Sequence, residues 1–450
     1  MTRSSRFKQR ILRDGLGAGA LAAAAVALAA VPAGNAARAD SGPVAIDITD
    51  PERSLYPIAI PEGVDSDPAL SELVAETARF NMKVSGWFNV LDPDSFLADL
   101  EAEGMSIRPR PWEDVGAFGV MKHRAVRSGD RVQLDFRLFE VEEGSSPVLE
   151  RTYTGDVNDA RSFVHDWSNE VVEYFTGEPG FFGARLAFTA NSRHAKRILT
   201  MDHDGHNIRP VTRNRHLNIL PAFSPGGDRV AFTSYMHNNP DLFVAPAGGG
   251  RPHRLSSHRG MNTGASWSPD GDRIAVTLSR SGSQDIYLID AQSGDIVSQL
   301  TRGPHINTSP AWSPDGSEIA FVSGREGGPQ IFVMDADGSN QRRVSRTGNY
   351  NSSPAWSPEP GVRMLAYTSR VDGPFDIVTQ DLDSGERVRI TRGEGNNEEP
   401  SFTPNGRAIA FGSDRPGEPG IYITNADGTG PQVRIWSGAG TSPTWGPMPD

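Results

Sequence analysis

Asparagines recur at a fixed spacing in the second half of this sequence. Each lies seven residues before a marker proline in five of six repeats, and Gly440 takes the sixth position. The five are Asn218, Asn262, Asn307, Asn351 and Asn397, and the polar Thr308 follows the third. A primary amide donates and accepts hydrogen bonds, but it supplies no nucleophile or general base. The pattern therefore predicts a polar rim suited to a protein loop or peptide, with the five asparagines as candidate binding residues.

A structural role for the same asparagines is equally expected. Asparagine often caps a turn by bonding its own side chain to nearby backbone groups. The two roles are compatible, because a side chain that caps a loop also lies at its rim. Replacing Asn307 and Thr308 together by alanine should weaken partner binding with little change in melting temperature. A large loss of stability would favour capping.

The elements that position these residues are repeats with strand character. Aromatic-Ser/Thr/Gly-Pro markers end in prolines that are 44, 45, 44, 46 and 43 residues apart. A period in the forties with strand-like content predicts a β-propeller with four strands per blade. The marker aromatic residues could form a stacking platform, but packing between blades is favoured because every repeat needs the same wedge. These aromatic residues are Phe223, Trp267, Trp312, Trp356, Phe402 and Trp445.

A second motif predicts how the ring closes. It marks the second strand of each repeat, begins at Leu186-Ala187-Phe188 and occurs six times, out of phase with the proline markers. The first copy has no inner strand before it, and the last marker has no second strand after it. We therefore expect six blades over residues 183–450, with the strand at Thr441–Trp445 completing the blade that begins at Leu186.

A small α/β domain is predicted over residues 40–178, followed by a linker at 179–182. Asp67-Pro68 is typical of a helix start, and that helix should run to about Val84. The other elements expected are an edge strand at 44–48, a strand at 88–91, a helix at 94–100, strands near 119–126, 131–141 and 148–155, and a helix at 159–175. The whole chain is thus predicted as an α/β N-terminal domain followed by an all-β six-bladed propeller.

Residues 1–39 have the layout of an export signal. A basic start precedes an Ala/Gly-rich apolar run, and small residues follow it, so cleavage is expected between Ala39 and Asp40. A membrane anchor is the alternative reading, and the shortness of the run disfavours it. The mature protein is therefore expected to be exported.

Charge separates the two predicted domains. Residues 40–179 contain 28 acidic and 12 basic residues, whereas residues 180–450 contain 27 and 26. Neither part offers a basic field for phosphates, so nucleic acid is not an expected partner. The acidity of the first domain is explained by solubility more readily than by a basic partner.

Motifs for enzyme and cofactor chemistry are weak or missing. There is no cysteine and no Gly-x-Ser-x-Gly sequence. Aspartate-rich turns such as Asp335–Gly338 lack the distant glutamate of an EF-hand, and the histidines near His203 and His206 are a weak metal signal. We expect no catalytic residue, no metal and no cofactor.

The chain resembles the TolB family of the bacterial Tol–Pal envelope system. The resemblance covers the mature chain, and the join at Thr176-Gly177 with Arg185–Phe188 and the Pro310–Gly316 repeat carry it most clearly. It implies a non-enzymatic, periplasmic and monomeric adaptor whose propeller mouth receives the lipoprotein Pal. The mouth positions that it implies are the five asparagines together with Thr308. It also implies that the segment after the signal contacts the inner-membrane protein TolA, which makes the protein peripheral to the membrane through its partners. The docking residues implied in that segment are Val44, Ile46, Asp47 and Ile48.

The function expected is support of outer-membrane integrity and of constriction during cell division. An exported propeller hydrolase or lyase acting on peptide or glycan is the alternative from another class. A propeller that binds some other envelope protein is a third reading.

Overall fold

The structure, a computed structural model, describes residues 55–191 and 195–448. The predicted signal at 1–39, its cleavage site at Ala39 and Asp40, and the docking residues Val44, Ile46, Asp47 and Ile48 lie outside the described residues. Within the described ranges, none of the helices combines the length and the apolar character that crossing a bilayer requires.

The N-terminal part is one five-stranded sheet with two long helices packed against it. The helices are α1 (Pro68–Ser85), α2 (Leu100–Glu103), α3 (Pro109–Asp114) and α4 (Ala160–Thr176). The strands are β1 (Tyr56–Ala59), β2 (Phe88–Val90), β3 (Gly119–Ser128), β4 (Arg131–Glu140) and β5 (Leu149–Asp156), arranged in the order β2-β1-β3-β4-β5. Strand β1 pairs in parallel with both neighbours, whereas β3, β4 and β5 form an antiparallel meander.

Local signals begin and end the two long helices. The Asp67 carboxylate accepts a hydrogen bond from the Leu70 amide (3.0 Å), and Pro68 occupies the first turn of α1, where its missing N–H costs nothing. The Asp67 cap confirms the start predicted for α1. Helix α4 ends before Gly177, whose φ of 73° places it in the left-handed region that glycine tolerates.

The helix expected from Asp94 to Leu100 is wrong. A single 3₁₀ turn at Pro93–Ser95 follows the cap at Asp92, and the chain then becomes extended at Phe96. Phe96 packs edge-on against Trp112 at a centroid distance of 5.1 Å, and Asp99 caps a separate short helix, α2. Burial of Phe96 and a second aspartate cap therefore outweigh local helix propensity.

The C-terminal part contains six four-stranded antiparallel sheets, which are the blades of the propeller. Blades 1 to 5 each use four consecutive strands. Blade 1 is β9 (Asn218–Phe223), β10 (Arg229–Ser234), β11 (Asp241–Pro246) and β12 (His253–Ser256); blade 2 is β13 (Asn262–Trp267), β14 (Arg273–Leu278), β15 (Asp285–Asp290) and β16 (Ile296–Gln299). Blade 3 is β17 (Asn307–Trp312), β18 (Glu318–Ser323), β19 (Gln330–Asp335) and β20 (Arg342–Arg343); blade 4 is β21 (Tyr350–Trp356), β22 (Met364–Arg370), β23 (Asp376–Asp381) and β24 (Arg387–Arg389). Blade 5 is β25 (Asn397–Phe402), β26 (Ala408–Ser413), β27 (Gly420–Asn425) and β28 (Val433–Ser437).

Blade 6 joins the two ends of the propeller. Strand β29 (Gly440–Trp445) pairs antiparallel with β6 (Arg185–Asn191), and β7 (Lys196–Asp202) and β8 (Arg209–Pro210) complete the sheet. The register brings Trp445 opposite Leu186. This is the closure that the offset between the two sequence motifs predicts, and it gives β6 a paired strand on each side.

The marker aromatic residues form the core between blades. All six are buried, and each lies in a cluster with the small residue of the preceding blade's second strand. Trp312 of blade 3, for example, shares a cluster with Ala275 of blade 2. The packing role predicted for these residues is confirmed, because buried rings leave no open stacking platform.

Candidate functional site

The propeller presents two different faces. We call the loops between second and third strands, together with the loops between blades, the mouth loops. The turns between first and second strands and between third and fourth strands form the opposite face, which we call the turn face. In each of blades 1 to 5, the asparagine predicted as a binding residue is the first or second residue of the inner strand and lies beside the mouth loops.

The five asparagine side chains are buried, at 0 to 1% exposure. Asn262 is representative, because its amide nitrogen donates to the carbonyls of His258 (2.7 Å), Gly260 (3.0 Å) and Pro240 (3.1 Å). Its amide oxygen accepts from the Ser256 hydroxyl (2.8 Å) and the His258 amide (2.9 Å). The structure thus assigns the capping role to Asn262. Direct contact between the asparagines and a partner stays a prediction, and burial favours an indirect contribution through loop shape.

A buried hydrogen-bonding group from the preceding blade holds several of these asparagines. In blade 2 the Asp285 carboxylate accepts from the Thr301 hydroxyl (2.9 Å) and from the amide of Asn307 (3.1 Å). Between blades 3 and 4, Gln330 plays the same part toward Ser345 (2.7 Å) and Asn351 (2.8 Å). These bonds tie the end of one blade to the start of the next and so fix the loop between them.

Thr308 differs from the asparagine that precedes it. It is half-buried, and it pairs with Val322 in the ladder between β17 and β18. In a propeller the inner strands surround the central channel. Thr308 therefore remains a candidate contact residue on geometric grounds, whereas Asn307 belongs to the support behind it.

Each inner strand contains a β-bulge that sequence reasoning missed. Between Thr308↔Val322 and Ala311↔Ala320, two residues of β17 oppose one of β18. One residue per bulge has a positive φ: Leu220 (54°), Gly264 (64°), Ser309 (52°), Ser353 (52°), Glu399 (59°) and Ser442 (52°). A bulge re-aims side chains and bends the strand at the channel wall. Proline follows in five of the six cases and could have marked the position, but the residue before proline is expected to be extended.

Two neighbouring glutamates of β25, Glu398 and Glu399, have pKa values above the ordinary value for glutamate. Glu399 accepts from both the amide (2.6 Å) and the hydroxyl (2.9 Å) of Ser442 in blade 6. Burial raises the pKa of Glu399 above its ordinary value. Burial also raises the pKa of Glu398, with repulsion from Glu399 and Asp414 as further causes. Glu399 thus serves as a hydrogen-bonding link between blades 5 and 6.

A buried polar cluster joins the N-terminal domain to the turn face. Asn81 of α1 accepts from His203 Nε2 (2.9 Å) and donates to His165 Nδ1 (3.1 Å) and to Ser168 (2.9 Å). The Gly183 amide donates to the other ring nitrogen of His203 (3.2 Å). The partners of His203 lie up to 122 positions away in sequence, so spacing offered no signal for this cluster.

His165, His203 and Asp204 could together present ligands to a metal ion, with donor atoms within 4.8 Å of one another. Both ring nitrogens of His203 already form hydrogen bonds, and Asp204 pairs with Arg161 and lies 3.4 Å from His165 Nε2. Burial is the largest influence lowering the pKa of His203, which favours the neutral ring. Hydrogen bonding between the domains therefore accounts for this trio.

The comparisons with known proteins agree with the two-part architecture. The family model for the TolB beta propeller domain matches residues 172–448, and the model for the TolB amino-terminal domain matches residues 44–146. The Tol-Pal system protein TolB of Anaeromyxobacter dehalogenans is 40% identical over 221 residues, which are 48% of this chain and 50% of that protein. The protein of the same name from Geobacter metallireducens is 41% identical over 168 residues, or 37% of this chain and 39% of that protein.

The chain therefore spans half the length, or less, of these curated relatives in the matched regions. Among solved structures, TolB from Acinetobacter baumannii superposes with a TM-score of 0.77 at 23% identity, covering 88% of this chain and 97% of that one. This likeness concerns the fold. Since the propeller family model alone covers more than half of the 450 residues, the chain belongs to the TolB family.

Proposed function

We propose that this protein is a non-enzymatic periplasmic adaptor of the Tol–Pal system, which receives the lipoprotein Pal at the propeller mouth and contacts TolA through its N-terminal segment. Such an adaptor would support outer-membrane integrity and constriction during cell division. The names of the relatives support membership of the system, and the specific partners are our proposal.

The observation that carries the proposal is the placement of the two domains. The contacts between the domains lie on the turn face, where Arg161 pairs with Asp204, the Asn405 amide donates to the Pro179 carbonyl (3.0 Å), and Arg407 covers the Trp87 ring at 5.4 Å. The mouth faces the other way. A closed ring whose loop-rich face has no contact with the described part of the neighbouring domain is suited to a macromolecular partner.

A buried serine–histidine pair gives little support to the hydrolase or lyase alternative. Ser71 and His123 approach within 3.2 Å, as a nucleophile and a base would. Both side chains are nevertheless at most 4% exposed, and they lie in the N-terminal domain rather than in the propeller channel. A polymer could not reach this pair without unfolding the domain.

Binding measurements with purified partners test the proposal. The mature chain from Asp40 onward would be titrated by calorimetry with the soluble domain of Pal and, separately, with the C-terminal domain of TolA. We expect both to bind. Removing residues 40–50, which include Val44, Ile46, Asp47 and Ile48, should abolish TolA binding and spare Pal binding. TolA affinity that is unaltered by this truncation would refute the N-terminal assignment, and absence of Pal binding would refute the mouth assignment.

A further inference from the structure

The two faces of the propeller carry opposite charge. Among the described residues, the mouth loops contain nine arginines and five acidic residues, whereas the turns of the opposite face contain three arginines and eleven acidic residues. The net charge of the propeller sequence, 26 basic against 27 acidic residues, conceals this separation. The mouth is therefore the basic end of an electrically polar molecule whose other end also holds the acidic N-terminal domain.

Four of the mouth arginines are positioned by the fold in the same way. Each directly follows a buried hydroxyl residue that accepts a hydrogen bond from the third strand of its blade. The pairs are Thr212-Arg213, Thr301-Arg302, Ser345-Arg346 and Thr391-Arg392, with hydroxyls that accept from the amides of Ile198, Ile286, Ile331 and Ile377, each at 2.9 Å. Because the hydroxyl is fixed and buried, the next side chain projects outward, and all four arginines are exposed. We call Arg213, Arg302, Arg346 and Arg392 the arginine ring.

Three of the five acidic residues of the mouth loops are held by other partners. Glu326 pairs with Arg343 (2.8 Å) and Glu394 with Arg415 (2.9 Å), while Asp414 accepts from the backbone (2.6 Å) and side-chain (2.9 Å) nitrogens of Asn396. No member of the arginine ring forms an ion pair with a carboxylate in the part of the chain that the structure describes. The ring thus presents unpaired positive charge over a face on which arginines outnumber acidic residues by nine to five and two of those five are already ion-paired.

Apolar side chains interrupt this basic face. Ile306 is 55% exposed and Val371 is 47% exposed, and both lie on mouth loops. Interfaces between proteins combine arginine with exposed apolar anchors, whereas polyanion sites favour a continuous basic field. The mixture on this face therefore favours a folded protein over a glycan or a lipid surface.

We propose that the arginine ring docks an acidic surface of a protein partner and steers its approach to the mouth. This inference rests on the proposed function, because it names the chemistry of the partner at the same mouth. Guanidinium groups bind carboxylates in a planar, two-point geometry, so a ring of them selects for Asp/Glu-rich surfaces. Positive potential across a concave rim also raises the rate of encounter with such a surface.

Association kinetics test the ring directly, with the soluble domain of Pal as the probe. The variant Arg302→Gln/Arg346→Gln removes half of the ring. The matched control is Arg209→Gln/Arg251→Gln, which removes two exposed arginines near the turn face. We expect the association rate constant of the ring variant at low salt to fall roughly threefold to tenfold, and its dependence on salt to become shallower. The control should match the wild-type protein in both respects.

A lysine variant separates charge from other effects. Arg302→Lys/Arg346→Lys should recover most of the association rate, because steering depends on charge. Equal melting temperatures of the glutamine and control variants would show that the loss is not misfolding. If the ring variant associates with Pal at the wild-type rate and with the wild-type salt dependence, the acidic-partner inference is overturned while the proposed function stands.

Failure of Pal to bind the wild-type protein would instead overturn the proposed function. The ring would then be measured with two other probes, an Asp/Glu-rich synthetic peptide and vesicles containing an anionic phospholipid. Peptide binding that is lost in the ring variant and kept in the control supports the inference. Binding to the vesicles alone, or to neither probe, overturns it.

Discussion

At the scale of single residues, the mouth separates supporting side chains from accessible ones. Asn307 donates to Asp285 (3.1 Å) and accepts from Ser323 (2.8 Å) and Arg325 (3.1 Å). Its neighbour Thr308 is half-buried, and its side chain forms no comparable network with the residues that the structure describes. Adjacent residues of similar polarity therefore have different roles.

We expect Asn307→Ala to lower the free energy of unfolding by about 1 to 3 kcal/mol, because it leaves buried donors and acceptors unpaired. Thr308→Ala, its control, should change that free energy by less than about 0.5 kcal/mol. Urea denaturation of each variant measures the difference. The buried network around Asn307 thus predicts a loss of stability, whereas the spacing pattern alone predicts little thermal effect of replacing Asn307 together with Thr308. Equal stabilities of the two variants would contradict the capping role.

His123 predicts a pH dependence within the N-terminal domain. Burial is the largest cause lowering its pKa from 6.5 to about 4; the contact with Ser71 opposes this shift, and Arg79 and Lys122 add to it. The folded ring is thus neutral where the unfolded ring takes up a proton. Stability should fall as pH drops from about 6.5 toward about 4, by up to roughly 3 kcal/mol.

The variant His123→Gln isolates this contribution, because glutamine keeps a hydrogen-bonding group near Ser71 but does not titrate. The slope of unfolding free energy against pH, between pH 6.5 and about 4, should be shallower in the variant than in the wild-type protein. A matching slope in both proteins would show that the His123 ring has the same pKa in the folded and unfolded states.

At the scale of elements, one strand converts a row of blades into a ring. Trp445 of β29 packs edge-on against Phe181 at a centroid distance of 6.0 Å and contributes to the core shared with Ala408 and Ala410 of blade 5. Trp312 occupies the equivalent position in blade 3. Both indoles are buried, and neither N–H has an acceptor within the described residues. The two tryptophans are therefore a matched pair for measuring closure.

We expect Trp445→Ala and Trp312→Ala each to lower the free energy of unfolding by about 3 to 5 kcal/mol, the range for emptying a large aromatic site in a core. Guanidinium denaturation measures both. A cost for Trp445→Ala that is several kcal/mol below that for Trp312→Ala would mean that the closing strand packs more loosely than the other inner strands.

Sequence reasoning succeeded for elements whose signals are local. The cap at Asp67, the strands of the repeats and the offset that closes blade 6 follow from turn residues and hydrophobic periodicity. It failed between Asp94 and Leu100, where packing of Phe96 on Trp112 overrides helix propensity. Sequence alone also could not predict which side chains of an inner strand face the channel. Each inner strand contains a bulge, and a shift of one residue in pairing exchanges the two faces of a strand.

The arginine ring is not evident from net charge. The net charge of a whole domain does not show on which face of the propeller each charged residue lies. The signal was nevertheless present, because Arg302, Arg346 and Arg392 follow one another at 44 and 46 residues, the period of the repeat itself. Periodicity of charged residues, and not only of aromatic residues and asparagines, predicts the chemistry of a propeller face.

At the scale of the whole molecule, the two domains share one hydrophobic core. A single cluster contains Val74 and Val164 of the N-terminal domain together with Ile421 of blade 5 and Trp445 of blade 6. The polar centre of this contact is Asn81, which bonds to His203 of the propeller and to His165 and Ser168 of α4. A core of this kind couples the folding of both parts, so the wild-type protein should unfold in one calorimetric transition.

Asn81→Ala should uncouple the two domains. Loss of its amide leaves His203 Nε2 and His165 Nδ1 buried without their present partner, which should cost about 2 kcal/mol or more. We expect the single transition to separate into two in scanning calorimetry. The control is Asn158→Ala, whose exposed side chain bonds only to Asp156 and should change stability by less than about 0.5 kcal/mol. If Asn81→Ala unfolds in a single transition and is as stable as Asn158→Ala, the buried cluster does not couple the domains.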